Sequence, residues 1–172
     1  NPVLSEKKIT KKTIFVIEAS SYQLDYSKIF TTKYAVILNI SPDHIERHKN
    51  LKNYINAKLK LLVFQSNKSI AFVNKNDQLI SKAIKAKNFR QRIIKVDPLK
   101  NNKISNLIKN KYFLSSGNKE NLSFVLRISE ILKLNNKNLI RTLNRFKGLK
   151  YRQQIILESK NLTIINDSKS TS

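Results

Sequence analysis

The 172-residue chain contains no cysteine, which excludes a disulfide framework and any thiolate metal site. It has two glycines, Gly117 and Gly148, where about twelve would match average usage. Clustered glycines are what let backbone N–H groups close around a phosphate, so this sequence carries no phosphate-cradling loop. No stretch approaches the roughly 18 consecutive apolar residues of a membrane-spanning helix. The opening N-P-V-L-S-E-K-K lacks the charged-then-apolar order of a secretory leader. These features suit a cytoplasmic protein with no membrane partner. Acidic residues are also scarce, with 11 Asp+Glu against 34 Lys+Arg and a net charge of +23. The chain does not begin with Met and stops on S-K-S-T-S, and is expected to be a fragment of a longer protein.

What is present is ordinary globular material: 40% hydrophobic and 26% charged residues. The length suffices for one good core, or for one domain and part of another. A large positive charge can serve phosphate contacts to nucleic acid. Here the lysines are scattered singly or in pairs, often beside Asn, and no aromatic-interleaved basic ribbon accompanies them. The charge therefore reads as the habit of a Lys-, Asn- and Ile-rich composition, and no nucleic-acid partner is expected.

Hydrophobic spacing divides the chain into alternating elements. Thr13 to Glu18 (T-I-F-V-I-E) and Tyr34 to Ile40 (Y-A-V-I-L-N-I) are β-branched runs of the kind found in buried parallel strands, with a short helix between them. Leu51 to Phe64 has helical spacing, Ser69 to Asn74 reads as a strand, Asp77 to Ala86 as a helix and Arg92 to Val96 as a strand. Two helices follow, Asn118 to Leu134 and Lys137 to Phe146, and then two short strands, Gln153 to Leu157 and Leu162 to Ile165. Strands alternating with helices predict an α/β layered fold. The change of pattern near Gly148 predicts a boundary there, with residues 149–172 opening a second unit.

Candidate chemistry gathers at predicted strand ends. In open α/β sheets the carboxyl edge forms the ligand crevice, and Glu18 and Asn39 sit there. Beyond Asn39 a Ser-Pro turn leads to Asp43 and His44. Carboxylate, carbonyl and imidazole groups suit Mg²⁺ or Mn²⁺ beside phosphate oxygens. The competing reading is structural: Asp43 caps a helix starting near His44 and Glu46 completes a capping box. Zinc fits less well, because His44 and His48 lack a third obvious ligand. On local grounds Lys58, Arg47 and Arg152 read as solvated charges, and Asn118 and Asn121 as helix caps. The tail N-D-S-K-S-T (Asn166 to Thr171) reads as a strand-to-helix turn that could hold an anion.

Five ordered segments carry a resemblance. E-A-S-S-Y-Q-L-D (Glu18 to Asp25), N-I-S-P-D-H-I-E-R-H (Asn39 to His48), Y-I-N-A-K (Tyr54 to Lys58), R-F-K-G-L-K-Y-R (Arg145 to Arg152) and N-D-S-K-S-T resemble motifs of the Mur ligases of peptidoglycan synthesis. The S-S-Y-Q-L segment is most similar to the members that add D-glutamate to UDP-N-acetylmuramoyl-L-alanine. The resemblance implies residues 1–148 as the later part of a mostly parallel-sheet central ATPase domain. It implies residues 149–172 as a hinge and the first strand and turn of a Rossmann-like C-terminal domain. It implies ATP and Mg²⁺ (or Mn²⁺), an acyl-phosphate intermediate and a monomeric parent.

By the same resemblance Lys58, His44 and Lys169 are catalytic, with Glu18, His44 and carbamylated Lys58 serving the metal. Ser20, Gln23 and Thr171 bind substrate. Asn118, Asn121, Arg152 and Asp167 bind ATP. His44 is then the ligand and His48 a supporting residue. Two positions depart from the pattern: the family's H-N-x-x-N histidine is Gly117 here, and its H-R histidine is Tyr151. The family's G-x-x-G-K-S/T loop is absent, so the 172 residues alone are expected not to ligate. The alternatives are a sister amide ligase, such as another Mur or folylpolyglutamate synthase-like enzyme, an inactive remnant of one, or, in a different class, a basic nucleic-acid-binding module.

Overall fold

Helices and strands alternate along most of the chain, as the spacing predicts. The computed structural model describes residue 5 and residues 8–42, 45–100 and 102–169. In chain order the elements are α1 (Ser21–Tyr26), β1 (Tyr34–Ile37), α2 (Ile45–His48), α3 (Leu51–Val63), β2 (Ile70–Asn74), α4 (Gln78–Lys85) and β3 (Arg92–Val96). Short 3₁₀ turns then lead into α5 (Ser116–Ile131), α6 (Asn136–Arg145), β4 (Gln154–Glu158) and β5 (Thr163–Asn166).

β1, β2 and β3 form a parallel sheet in that order, with Tyr34 beside Ile70 and Ile70 beside Arg92. Parallel neighbours need crossover connections, and α2–α3 and α4 supply them. The central strand is buried on both faces because its side chains alternate. Ala71 and Val73 join Ala35, Ile37, Leu59, Leu62 and Ile80 on the side of α3 and α4. Phe72 points the other way, onto Ile94, Val96 and Phe124 of α5. A third cluster, Leu122, Leu126 and Leu143, fastens α6 to α5. The layers are helix, sheet, helix.

Local chemistry sets the helix ends. The Asn50 side chain accepts from Asn53 N at 2.8 Å and starts α3, and Asn135 does the same for α6 from Asn138 N at 3.0 Å. α5 stops at Ile131, three residues before its apolar pattern does. Lys133 turns left-handed (φ 53°), and Leu134 N and Lys133 N donate to the carbonyls of Ser129 and Glu130, which is a Schellman stop made without glycine.

One expected element is not formed. Residues 14–18 adopt no regular structure, and Ile14 and Val16 are 78% and 96% exposed. The run has strand composition, but a strand exists only through a ladder partner. Among the described residues the outer edge of β1 carries none. The last two strands form as expected, as an antiparallel hairpin separate from the main sheet, with an irregularity between Ile155 and Leu157.

Burial separates the two kinds of apolar residue sharply. Phe72→Ala removes a fully buried ring and is expected to cost about 3–5 kcal/mol in urea unfolding of the chain. Val16→Ala should stay within ~0.5 kcal/mol. A core-sized loss at Val16 would show that this segment packs.

Candidate active site

The first cluster of candidate residues lies where α1, the β1–α2 connection and α3 meet. Ser20 and Gln23 engage each other: Gln23 N donates to Ser20 Oγ at 3.3 Å and Ser20 N donates to Gln23 Oε1 at 2.8 Å. This capping box was legible as S-x-x-Q, and it occupies both side chains expected to bind substrate. His48 is buried, with Nε2 3.0 Å from Ser21 Oγ, stacked on Tyr22 and edge-on to Tyr54. It is a packing and tethering group joining α1, α2 and α3. Lys60 of α3 binds the Asp25 carboxylate at 3.0 Å and also donates to the Asp25 carbonyl.

Lys58, one helical turn on from Tyr54, lies with its ammonium 4.9 Å from that ring's centroid and donates to the carbonyl of Asn39 at 3.3 Å. The next backbone N–H, that of Ile40, donates to Asp77 Oδ2 at 2.8 Å. Lys58 thus meets the chain just beyond β1 at Asn39, a contact that its local sequence did not announce. Glu18 is exposed at the end of the unpaired 14–18 segment, and no described hydrogen bond or ion pair joins it to Lys58 or Asn39. Asp43 and His44 lie outside the described residues. The carbonyl of Asn39 is a hard oxygen suited to a divalent cation, but an ammonium against it competes with such a cation. Among the described residues no three carboxylate or imidazole groups gather to hold a metal. With an unmodified lysine, the described donors do not fit one.

The second cluster joins the start of α5 to the turn after α6 and to the hairpin. Asn118 is not a cap, because α5 begins two residues earlier, at Ser116. Its buried Nδ2 donates to the Tyr112 carbonyl and to Gln153 Oε1, both at 2.9 Å. Ser115 Oγ donates to the same Gln153 oxygen at 2.7 Å, and Gln153 N donates to Asp167 Oδ1 at 3.0 Å. Lys169 N donates to the Tyr151 carbonyl, with the Lys169 ammonium over the Tyr151 ring. Asn118, Asp167 and Lys169 are thus gathered around one turn, with Arg152 exposed at its centre. Asn121 is exposed further along α5, and Thr171 lies outside the described residues.

The turn itself is strained. Tyr151 and Gln153 both have positive φ (66° and 45°), an unfavourable region for residues with side chains. Gly148 (φ 74°) opens it, and a Cβ there would fall 2.6 Å from the ring of Tyr112. Gln153 is the functional candidate that sequence reasoning missed. Its side-chain partners lie 38 and 35 residues earlier, and its backbone partner 14 residues later, so no local pattern announces it.

A three-stranded parallel sheet between helices, with Lys58 held at its carboxyl edge, is the α/β frame that comparison with known proteins identifies. Residues 2–140 match the Mur ligase middle domain, and the chain belongs to that family. Its relatives include the UDP-N-acetylmuramoylalanine--D-glutamate ligase of Pseudothermotoga lettingae, 34% identical over 94% of this chain and 38% of the relative. The enzymes of the same name from Rickettsia felis and Elusimicrobium minutum are each 31% identical, over 99% and 98% of this chain and 41% and 40% of theirs. The chain spans about two fifths of the length of these relatives.

The Asp25–Lys60 pair gives a titration test. The hydrogen bond from Lys60 holds the Asp25 carboxyl below its ordinary 3.8, outweighing the opposing effect of burial. A depressed carboxylate contributes stability above its unfolded pKa, and that contribution is lost as pH falls through the folded value. Carbon-detected NMR titration should find Asp25 ionising below 3.8 and Lys60→Met returning it toward 3.8. An unchanged Asp25 curve in the variant would remove Lys60 as the cause.

Proposed function

We propose that this chain is part of a ligase that joins D-glutamate to UDP-N-acetylmuramoyl-L-alanine at the expense of ATP. The observation that carries the proposal is the shared name of relatives matched over nearly the whole chain, at 31–34% identity. The reaction has two steps. A carboxylate oxygen of the UDP-linked substrate attacks the γ-phosphorus of ATP, and ADP leaves with the bond electrons. The amine of D-glutamate then attacks the acyl carbon, losing a proton, and inorganic phosphate departs as the amide forms. Both steps depend on placing charged groups rather than on protein covalent chemistry.

In this reading Lys58 acts as a carbamate: its neutral amine adds to carbon dioxide and releases one proton. The change turns a cation into an anion at the Asn39 carbonyl and supplies the oxygen donors that the unmodified side chain lacks. Glu18 and His44 complete the set for Mg²⁺ or Mn²⁺, whose chemistry is to neutralise phosphate charge. Asn118, Asn121, Arg152 and Asp167 hold ATP, and the network centred on Gln153 supports that assignment by fixing Asn118 and Asp167 to one turn. Ser20, Gln23 and Thr171 contact substrate, and Lys169 faces the transferred phosphate. The capping box orients the first two of these without leaving their side chains unpartnered. Residues 149–172 begin a second unit, the Rossmann-like C-terminal domain; the left-handed Gly148 and the change from helices to a hairpin support a boundary there. The substrates, a nucleotide-linked precursor and an amino acid, place the enzyme in the cytoplasm, acting as a monomer.

The test is an assay of the protein that contains this chain together with a G-x-x-G-K-S/T loop. It is supplied with ATP, Mg²⁺, UDP-N-acetylmuramoyl-L-alanine and one amino acid at a time. Mass spectrometry should find product with D-glutamate alone, and Lys58→Ala should lower kcat at least ~100-fold, the scale of losing a group that acts on transition-state charge. Product with another amino acid would indicate a sister ligase. Absence of product with all of them would end the ligase reading.

A further inference from the structure

We propose that Asp77 is a positioning residue that fixes the Asn39–Ile40 peptide so that its carbonyl faces Lys58. The proposal rests on the reading of Lys58 given above. The Asn39 carbonyl that accepts from Lys58 Nζ at 3.3 Å and the Ile40 N–H that donates to Asp77 Oδ2 at 2.8 Å are the two ends of one peptide bond. That unit is planar and turns as a body, so holding one end sets the other. A cation grips its oxygen and an anion its N–H, and both contacts are charge-assisted. Were the peptide to flip, the N–H would meet the ammonium and the carbonyl would meet the carboxylate. Both arrangements are repulsive, so the observed orientation is locked.

Among the described residues no other group supplies this orientation. The β1 ladder ends at Ile37 opposite Val73, and α2 begins only at Ile45, so peptide 39–40 has no ladder partner. Ile40 is buried, and a buried N–H needs an acceptor. Asp77 provides it from 37 residues away. As the first residue before α4, Asp77 needs only one oxygen for capping, and Oδ1 does that by accepting from Ile80 N at 2.8 Å. The second oxygen is free to reach across. Asp77 is itself well held: Lys75 N donates to the Val96 carbonyl at 2.8 Å, and Asn76 N to Asn74 Oδ1 at 2.9 Å. The position of the peptide is therefore referred to β2 and β3. Carbamylation makes this anchor more important, because Nζ keeps one N–H but loses its positive charge, which weakens its hold on the Asn39 carbonyl while the Asp77 contact is unchanged.

Asp77→Ser separates the two duties. A serine hydroxyl keeps the helix cap but is too short, and has too few oxygens, to reach Ile40 as well. In the 172-residue chain, amide exchange at Ile40 should quicken about tenfold, the size of one lost hydrogen bond, while Ile80 changes less than about threefold. Asp77→Ala should quicken both. In the ligase-competent protein Asp77→Ser should lower kcat about tenfold or more with KM for D-glutamate within about twofold, the pattern of a group that acts only in the transition state, and lower Tm by only about 2–4 °C. Unchanged Ile40 exchange overturns the anchor. Faster exchange with unchanged kcat makes Asp77 merely structural and overturns the positioning role. A wild-type protein that forms no product fails the ligase reading and the positioning role with it, whereas the Ile40 exchange decides the anchor independently.

Discussion

β2 must bury both of its faces at once, and most of the structure follows from how it does so. Phe72 faces α5 while Ala71 and Val73 face α3 and α4, so a five-residue strand has helices on each side and a parallel neighbour on each edge. Burial on that scale is the dominant favourable contribution in a domain of this size. It also dictates connectivity, because parallel neighbours demand crossovers. Those crossovers deliver the β1–α2 and β2–α4 connections to the same, carboxyl edge of the sheet. Lys58, Asn39, Ile40 and Asp77 meet there because the sheet leaves those chain segments nowhere else to turn.

The two candidate clusters are built differently. At the sheet edge, charges hold backbone groups of Asn39 and Ile40, two and three residues beyond the ladder, so the geometry inherits the rigidity of the core. Before β4, side-chain amides and hydroxyls hold a turn whose backbone is strained at Tyr151 and Gln153. Strain of that kind survives only where several contacts over-determine it, and Ser115, Asn118, Asp167 and Lys169 together do so. One cluster is held rigid by the sheet beside it, and the other by the number of its own contacts.

The sequence made much of this legible, for physical reasons that differ by element. α3 and α4 show helical spacing and the short side chains that cap them, and β3 is a β-branched run, so their limits fall within a residue of those expected. The 14–18 run shows the same strand composition as β1 yet forms no strand, since composition reports what a segment would bury and not who pairs with it. The overlong reading of α5 has the opposite origin: apolar spacing continues through Leu134, but the left-handed Lys133 ends the helix without the glycine that normally marks such a stop. Lys58 is indistinguishable from other helix lysines on local pattern, and only its likeness to a family motif singles it out. Asp77 and Gln153 were opaque for a further reason. The side chain of each reaches a partner 35 or more residues away, and spacing rules see only near neighbours.

Among the described residues no strand covers the outer edge of β1, and that has a colloidal consequence. Unpaired backbone groups on that edge, and separately the exposed apolar run at Ile14 to Ile17, are templates for pairing with another copy of the same chain. What opposes that contact is the net charge of +23, which makes every approaching copy a strongly repelled one. Such repulsion between surfaces fades beyond a Debye length, about 10 Å at 0.1 M salt and about 3 Å at 1 M. For this chain the lysine-rich surface, whatever its evolutionary origin, doubles as a salt-dependent guard over an unfinished sheet.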